Sequence, residues 1–302
     1  MASPVYAKVF ADVVAAMERG VVPWHRPWSS DTASMPHNAI TGRPYSGGNV
    51  IALMFAGMSY QSTGWLTFKQ AIGAGCVVRK GEKGTAVYFM SKALSKKGAD
   101  EEERGTYFFA KGFTVFNIEQ LDELQPGSLD ILRAKNSSQA PRSTFERIEE
   151  AERIVEQSGA NIQHGGNRAC YIPAADLIKM PEQSTFESRE TYYGTLFHEL
   201  THWTGAKGRL DRLTPAKFGS PEYAFEELVA ELGAAFTCAQ VGIDTVSQSA
   251  AYLTSWTKAC REHPDLLPRA ASYAQRAVNF LTSVEEAPVA VDRKSTRLNS
   301  SH

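Results

Sequence analysis

The stretch that most constrains the fold is residues 192–212, YYGTLFHELTHWTGAKGRLDR, which contains the pattern H-E-x-x-H between His198 and His202. The run predicts a helix that ends at Gly205. Because residues four apart share one helix face, both imidazoles can point at one ion. The pentapeptide is short enough to occur by chance, so an ordinary helix with two histidines remains an alternative.

A second predicted helix, FEELVAELGAAF at residues 225–236, supplies the missing ligand. A catalytic zinc usually has three protein ligands and one open position. Glu227 is predicted as the third ligand. Glu231, one turn later, is predicted to hold a ligand imidazole in its orientation. Glu226 remains an alternative ligand because the sequence does not fix the register of the helix. The two helices together are typical of a glutamate-type zincin, or gluzincin.

The spacing also predicts the chemistry of a zinc metallopeptidase. A bound zinc ion lowers the pKa of its water to about 7, and Glu199 can take the proton as general base. We expect one zinc per chain, with manganese as an alternative. Tyr192, Tyr193 and Tyr223 are candidates for stabilising the oxyanion, and each could equally be a packing residue.

Charge and composition limit the possible partners. Residues 1–99 hold 11 basic and 4 acidic residues, whereas the remainder holds 21 basic and 29 acidic residues. A basic front half favours a polyanionic partner, although solubilising lysines would give the same count. No run approaches the length of a membrane span, and no signal peptide is evident, so we expect a cytoplasmic protein without a membrane partner. The four cysteines are far apart, which argues against a disulfide framework.

The pattern along the chain predicts an α+β protein of two domains. Residues 1–124 mix short helices with strands, and residues 143–286 are mainly helical. The segment 125–142, rich in Pro, Ser and Asn, is predicted to be a linker. Residues 287–302 have no periodicity and are predicted to be a disordered or non-native tail, with the origin of residues 292–302 in doubt.

Several long segments resemble the ArdC-type antirestriction proteins of conjugative plasmids and phages. They are WLTFKQAIGAGCVVRKGEKGTAVYF, GFTVFNIEQLDEL, GGNRACYIPAADLIKMP and the two helical motifs above. The N-terminal part is also similar to that of TraC-type plasmid primases. The resemblance spans residues 5–284. It implies an N-terminal domain that binds single-stranded DNA, a zincin-like metallopeptidase domain, and protection of incoming mobile DNA from restriction.

The residues of the N-terminal half agree with single-strand binding, which combines basic groups with aromatic stacking faces. The predicted DNA contacts are Trp24, Arg26, Trp28, Arg43, Tyr45, Lys69, Arg79, Lys80 and Lys83. The turn at residues 79–84 resembles a phosphate-contacting hairpin tip but lacks a nucleotide-binding pattern, so we expect no ATP. The alternative function is non-catalytic coating of single strands, with a structural or vestigial metal site. An acidic DNA mimic is disfavoured because the net charge is only -1.

Overall fold

The computed structural model describes residues 4–22, 24, 35–94, 106–137, 144–217, 219–243 and 253–282. The helices are α1 Pro4–Glu18, α2 Gly48–Ala56, α3 Phe68–Gly73, α4 Ser128–Ser137, α5 Thr144–Ser158, α6 Arg189–Thr204, α7 Pro221–Val241, α8 Leu253–Glu262 and α9 Leu266–Leu281. The strands are β1 His37–Asn38, β2 Gly64–Thr67, β3 Cys76–Val78, β4 Thr85–Leu94, β5 Thr106–Asn117, β6 Leu121–Glu123, β7 Asn161–His164, β8 Cys170–Ile172 and β9 Leu177–Met180. The predicted α+β class, with a mainly helical C-terminal part, is confirmed. The predicted tail, residues 287–302, lies outside the described residues.

The described residues of the N-terminal half form two sheets. The larger has the strand order β1-β2-β5-β4, and the whole of β4 pairs antiparallel with β5. The smaller pairs β3 with β6. The basic turn at residues 79–84 therefore joins strands of two different sheets. The prediction of a hairpin tip was wrong, because β3 and β4 each pair with a different partner.

Residues 125–142 differ from the predicted linker, because Ser128–Ser137 form α4. The Glu123 carboxylate accepts hydrogen bonds from the backbone N–H groups of Gly127 and Leu129 at the start of this helix. Leu129 and Leu132, three residues apart, place their side chains in a buried cluster with residues of β2, α3, β3 and β6. Asn136 donates to the carbonyl of Ala39. The helix thus belongs to the N-terminal half.

The two halves share a large hydrophobic core. Phe10, Val13 and Met17 of α1 and Val50 and Ile51 of α2 lie in one buried cluster with side chains of α7, α8 and α9. The Trp24 and Trp256 rings meet there, 6.3 Å apart between centroids. An ion pair between Glu18 and Arg261 joins the halves at the surface. The shared core means that neither half buries its apolar surface alone.

The C-terminal half adds a three-stranded sheet of order β7-β9-β8 to the helices. β7 and β9 are parallel, and β8 is antiparallel to β9. The sheet packs against α5 and α6 through a second buried cluster that includes Ile178, Tyr192 and Phe197. Within the described part of the chain, no helix has the length and apolar character needed to cross a bilayer.

Candidate metal centre

Helices α6 and α7 carry the candidate ligands, and both begin at a serine cap. The side chain of Ser188 accepts from the backbone of Thr191, and that of Ser220 accepts from the backbone of Tyr223. Such caps satisfy N–H groups that a helix leaves unpaired at its start. Pro221 follows at the first helical position of α7, where its missing N–H costs nothing. The local sequence therefore fixes where each helix begins.

The structure brings His198, His202 and Glu227 together, with one ligand atom of each within 4.8 Å of the others. The Nε2 atoms of the two histidines are 3.2 Å apart. Oε2 of Glu227 lies 3.6 Å from Nε2 of His198, and its Oε1 lies 3.6 Å from Nε2 of His202. Both imidazoles and one carboxylate thus converge on one point.

These distances fit a metal ion. Two nitrogen ligands at about 2.0–2.1 Å from a tetrahedral zinc ion lie roughly 3.3 Å apart, close to the observed separation of the Nε2 atoms. Two imidazoles and a carboxylate are also a common donor set for a catalytic zinc site. In the protein without metal, burial lowers the pKa of His198, but the nearby carboxylates of Glu227 and Glu231 outweigh this effect and raise it to about 10.

Glu226, the alternative ligand, faces away from this point. Its Oε1 lies 3.0 Å from Nδ1 of His202. The guanidinium of Arg212 holds both of its oxygens, with Nε to Oε2 and Nη2 to Oε1 each 2.8 Å. Burial raises the pKa of Glu226, but Arg212 and His202 outweigh burial and keep it below its usual value. Arg212 was missed at the sequence level, because nothing in its spacing marks it as a partner of Glu226.

Glu231 lies on the far side of His198. Its Oε2 is 3.7 Å from Nδ1 of His198, a distance for an ion pair and longer than a direct hydrogen bond. Glu226, Glu227 and Glu231 of α7 therefore occupy three positions around two imidazoles. Glu227 faces both Nε2 atoms, Glu226 faces Nδ1 of His202, and Glu231 faces Nδ1 of His198.

Glu199, the predicted base, is buried beside this cluster and only 8% exposed. Its Oε2 accepts a 2.7 Å hydrogen bond from the backbone N–H of Tyr171 on β8. The Tyr171 hydroxyl in turn donates to Asp176, which is paired with Arg209. This backbone donor could not be foreseen, because it depends on how β8 packs against α6.

An open cleft of about 1180 Å³ includes the candidate site, and residues of β8 and of the start of α7 line it. Of the three candidate tyrosines, Tyr223 lines this cleft. Tyr192 and Tyr193 are buried, and their hydroxyls pair with His164 and Glu152. Tyr223 is thus the candidate of the three that borders the cleft, where its side chain hydrogen-bonds the carboxylate of Glu227.

The two predicted aromatic DNA contacts that the structure describes are buried. Trp24 and Tyr45 are 4% and 6% exposed and pack in the shared core, so neither ring offers a stacking face; their assignment was wrong. Within that core the Trp24 ring contacts Trp256 of α8, and the Tyr45 ring contacts Phe89 of β4. Arg26 and Trp28 lie outside the described residues.

Among the basic residues, Arg79 has a structural role. Its guanidinium donates to the carbonyls of Glu119 and Leu121 and pairs with Glu82. Lys80 and Lys83, in the same turn, are exposed. Arg43 and Lys69 are also exposed. These four side chains remain available for contact with phosphate groups.

Comparison with known proteins matches both halves of the chain. Residues 149–273 match the zincin-like metallopeptidase family described as MPTase-PolyVal. Residues 3–116 match the N-terminal domain of anti-restriction factor ArdC. Together with the His, His and Glu cluster, these matches define a zincin-like metallopeptidase domain joined to an ArdC-type N-terminal domain.

Two crystal structures of one antirestriction protein resemble this chain over most of its length. The metal-free crystal structure of the antirestriction ArdC protein from plasmid R388 has a TM-score of 0.74 and 36% identity, covering 93% of this chain and 97% of that one. Its Mn(II)-bound structure has a TM-score of 0.73 and 34% identity, covering 93% and 98%. The chain belongs to the ArdC family of antirestriction proteins.

Two curated relatives extend the comparison. DNA primase TraC of Escherichia coli is 37% identical over 306 residues, which cover 94% of this chain but 27% of TraC. The chain therefore spans about a quarter of this larger relative. The uncharacterized protein y4eC of Sinorhizobium fredii (strain NBRC 101917 / NGR234) is 34% identical, covering 92% of this chain and 91% of y4eC.

Proposed function

We propose that this protein is an antirestriction factor of a mobile genetic element, that it binds single-stranded DNA, and that it hydrolyses peptide bonds at a metal centre. The observation that carries the proposal is the convergence of His198, His202 and Glu227, with Glu199 held beside them. The match to the ArdC N-terminal domain supports the DNA-binding part. Zinc is the expected metal, and manganese is an alternative in view of the Mn(II)-bound relative.

The metal, when bound, lowers the pKa of a coordinated water and polarises the substrate carbonyl. The side chains of this protein carry the proton transfers. Because the Tyr171 N–H fixes one oxygen of Glu199, the other can accept the proton as water oxygen bonds to the carbonyl carbon. When the carbon–nitrogen bond breaks, Glu199 returns that proton to the leaving amine. Tyr223, on the cleft wall, donates to the developing oxyanion.

The DNA-binding proposal rests on the exposed side chains of the N-terminal half. Arg43, Lys69, Lys80 and Lys83 are exposed, and residues 1–99 hold 11 basic residues against 4 acidic ones. Contacts between such groups and phosphates release counterions and make binding dependent on salt. The contacts made by these residues carry no sequence preference.

The substitution Glu199→Gln tests the enzymatic part. The glutamine amide can still accept from the Tyr171 N–H but cannot take up a proton at neutral pH. We expect hydrolysis to fall about 10²–10⁴-fold while metal content and DNA affinity stay unchanged. Glu187→Gln, which changes an exposed glutamate just before α6, is the matched control and should cleave like the wild type. Cleavage by the Glu199→Gln variant at the wild-type rate would exclude Glu199 as the base.

The same variant separates proteolysis from coating of single strands. Plasmid transfer into restricting and non-restricting recipients is compared for the wild type and Glu199→Gln. If peptide hydrolysis provides protection, the variant loses it. Full protection by the variant would favour the coating function. The full chain is used because the N-terminal half shares its core with α7, α8 and α9.

A further inference from the structure

Arg212 lies in the loop after α6. Its guanidinium contacts Glu226 beside the metal centre but none of the three ligand side chains. Its side chain is only 3% exposed. Besides its two bonds to Glu226, the guanidinium donates 2.7 Å to the carbonyl of Thr201 and 3.3 Å to the hydroxyl of Thr204. A buried guanidinium with this many bonds has a single orientation.

The geometry ties this orientation to His202. Oε1 of Glu226 accepts from Arg212 and lies 3.0 Å from Nδ1 of His202, so one carboxylate oxygen joins the two side chains. When Nδ1 of His202 carries the proton, its Nε2 has a free lone pair directed at the cluster. A group that accepts from Nδ1 therefore selects the imidazole form that can bind a metal.

Glu226 could compete with Glu227 for the metal. Glu226 and Glu227 are neighbours on α7, and either carboxylate could serve as a metal ligand. Arg212 occupies both oxygens of Glu226 and leaves Glu227 to face the two Nε2 atoms.

We propose that Arg212 is a positioning residue for the metal centre: it holds Glu226 against Nδ1 of His202 and so directs Nε2 of His202 to the metal. This inference rests on the proposed function, since it presumes a metal at His198, His202 and Glu227. It goes further because it states that Arg212, which is not itself a ligand, determines the orientation of the ligand His202.

The test measures metal affinity in Arg212→Met, in Arg212→Lys and in the wild type, with Zn²⁺ added to metal-free protein in competition with a chelator. We expect Arg212→Met to bind about 10–100-fold more weakly. A lysine at this position keeps the positive charge but cannot form the bidentate contact. The Zn²⁺ affinity of Arg212→Lys should therefore lie between those of Arg212→Met and the wild type. The visible spectrum of the Co²⁺-loaded protein should also change in Arg212→Met, because the ligand field at His202 changes.

A matched control separates positioning from general loss of stability. Met17→Ala removes a fully buried side chain of α1, which should also destabilise the fold. We expect it to keep the wild-type Zn²⁺ affinity and Co²⁺ spectrum. Affinity is compared only for protein that is folded by circular dichroism.

The outcomes distinguish this inference from the proposed function. A wild type that binds Zn²⁺ together with a folded Arg212→Met variant of equal affinity and unchanged Co²⁺ spectrum would overturn the role of Arg212 alone. If Arg212→Met does not fold, Arg212→Lys provides the test. A wild-type Zn²⁺ affinity and Co²⁺ spectrum in Arg212→Lys would contradict a role for the bidentate contact between Arg212 and Glu226. A wild type that binds no Zn²⁺ would overturn the metal centre itself.

Discussion

Gly233 of α7 and Thr201 of α6 bring the two helices of the metal centre into direct contact. A Cβ on Gly233 would lie 2.5 Å from both Cγ2 and Oγ1 of Thr201. Thr201 is fully buried, and its hydroxyl donates to the carbonyl of Phe197. The absence of a side chain at residue 233 therefore allows the spacing at which Glu227 faces His198 and His202.

The substitution Gly233→Ala tests this spacing. We expect it to destabilise the metal-free protein by about 1–3 kcal/mol in urea unfolding, because a buried overlap outweighs the better helix propensity of alanine. Adding Thr201→Ala should recover part of the loss. Gly194→Ala on α6 is the control: a Cβ there meets nothing within 4 Å, so that variant should be slightly more stable. Wild-type stability of Gly233→Ala would contradict the tight packing of the two helices.

Tyr223→Phe tests the role of the cleft tyrosine. On a peptide that the wild type cleaves, we expect kcat to fall about 10²–10³-fold with little change in KM, since the hydroxyl acts on the developing oxyanion. Tyr192→Phe is the matched control, because the Tyr192 hydroxyl pairs with His164 away from the cleft. An unchanged kcat for Tyr223→Phe would remove this tyrosine from the mechanism.

Exposed lysines, rather than the buried aromatics, should set the DNA affinity. We expect Lys80→Gln/Lys83→Gln to weaken binding to single-stranded DNA and to make the slope of log K against log salt shallower by roughly 0.7 for each phosphate that is no longer neutralised. Lys179→Gln, which changes an exposed lysine of β9, should leave both unchanged. Trp24→Leu should lower stability instead, because Trp24 packs on Trp256. An unaltered salt slope in the double lysine variant would contradict phosphate binding by this turn.

The cysteines should differ in reactivity. Burial raises the pKa of the Cys260 thiol to about 12, so almost no thiolate forms at pH 8. Cys76 and Cys238 are also buried, whereas Cys170 is partly exposed at the cleft. We expect iodoacetamide at pH 8 to label Cys170 first and the other three after unfolding in urea, as read by peptide mass spectrometry. Labelling of Cys260 in the native protein as fast as Cys170 would contradict its burial.

Local sequence patterns predicted the parts of the site that lie on single helices. The spacing of His198 and His202 and the stop at Gly205 are properties of one helix, and α6 ends where the pattern predicted. The second predicted helix, residues 225–236, likewise lies within α7, Pro221–Val241. Such features depend on periodicity and capping, which a sequence displays directly.

The parts that were missed depend on interactions between distant segments. Arg212 and Glu226 come from a loop and a helix, and their ion pair has no sequence signature. The N–H of Tyr171 reaches Glu199 only because β8 packs beside α6. Trp24 and Tyr45 were predicted to contact DNA because the sequence does not show that both rings are buried in the core shared by the two halves.

Metal content tests the central claim most directly. Protein purified without an affinity tag is analysed by elemental analysis for the wild type and for His198→Ala/His202→Ala, each after zinc is supplied and excess is removed. We predict about one zinc per chain in the wild type and none in the double variant. A wild type without bound metal, or a double variant that retains a full equivalent, would contradict a metal centre at these residues.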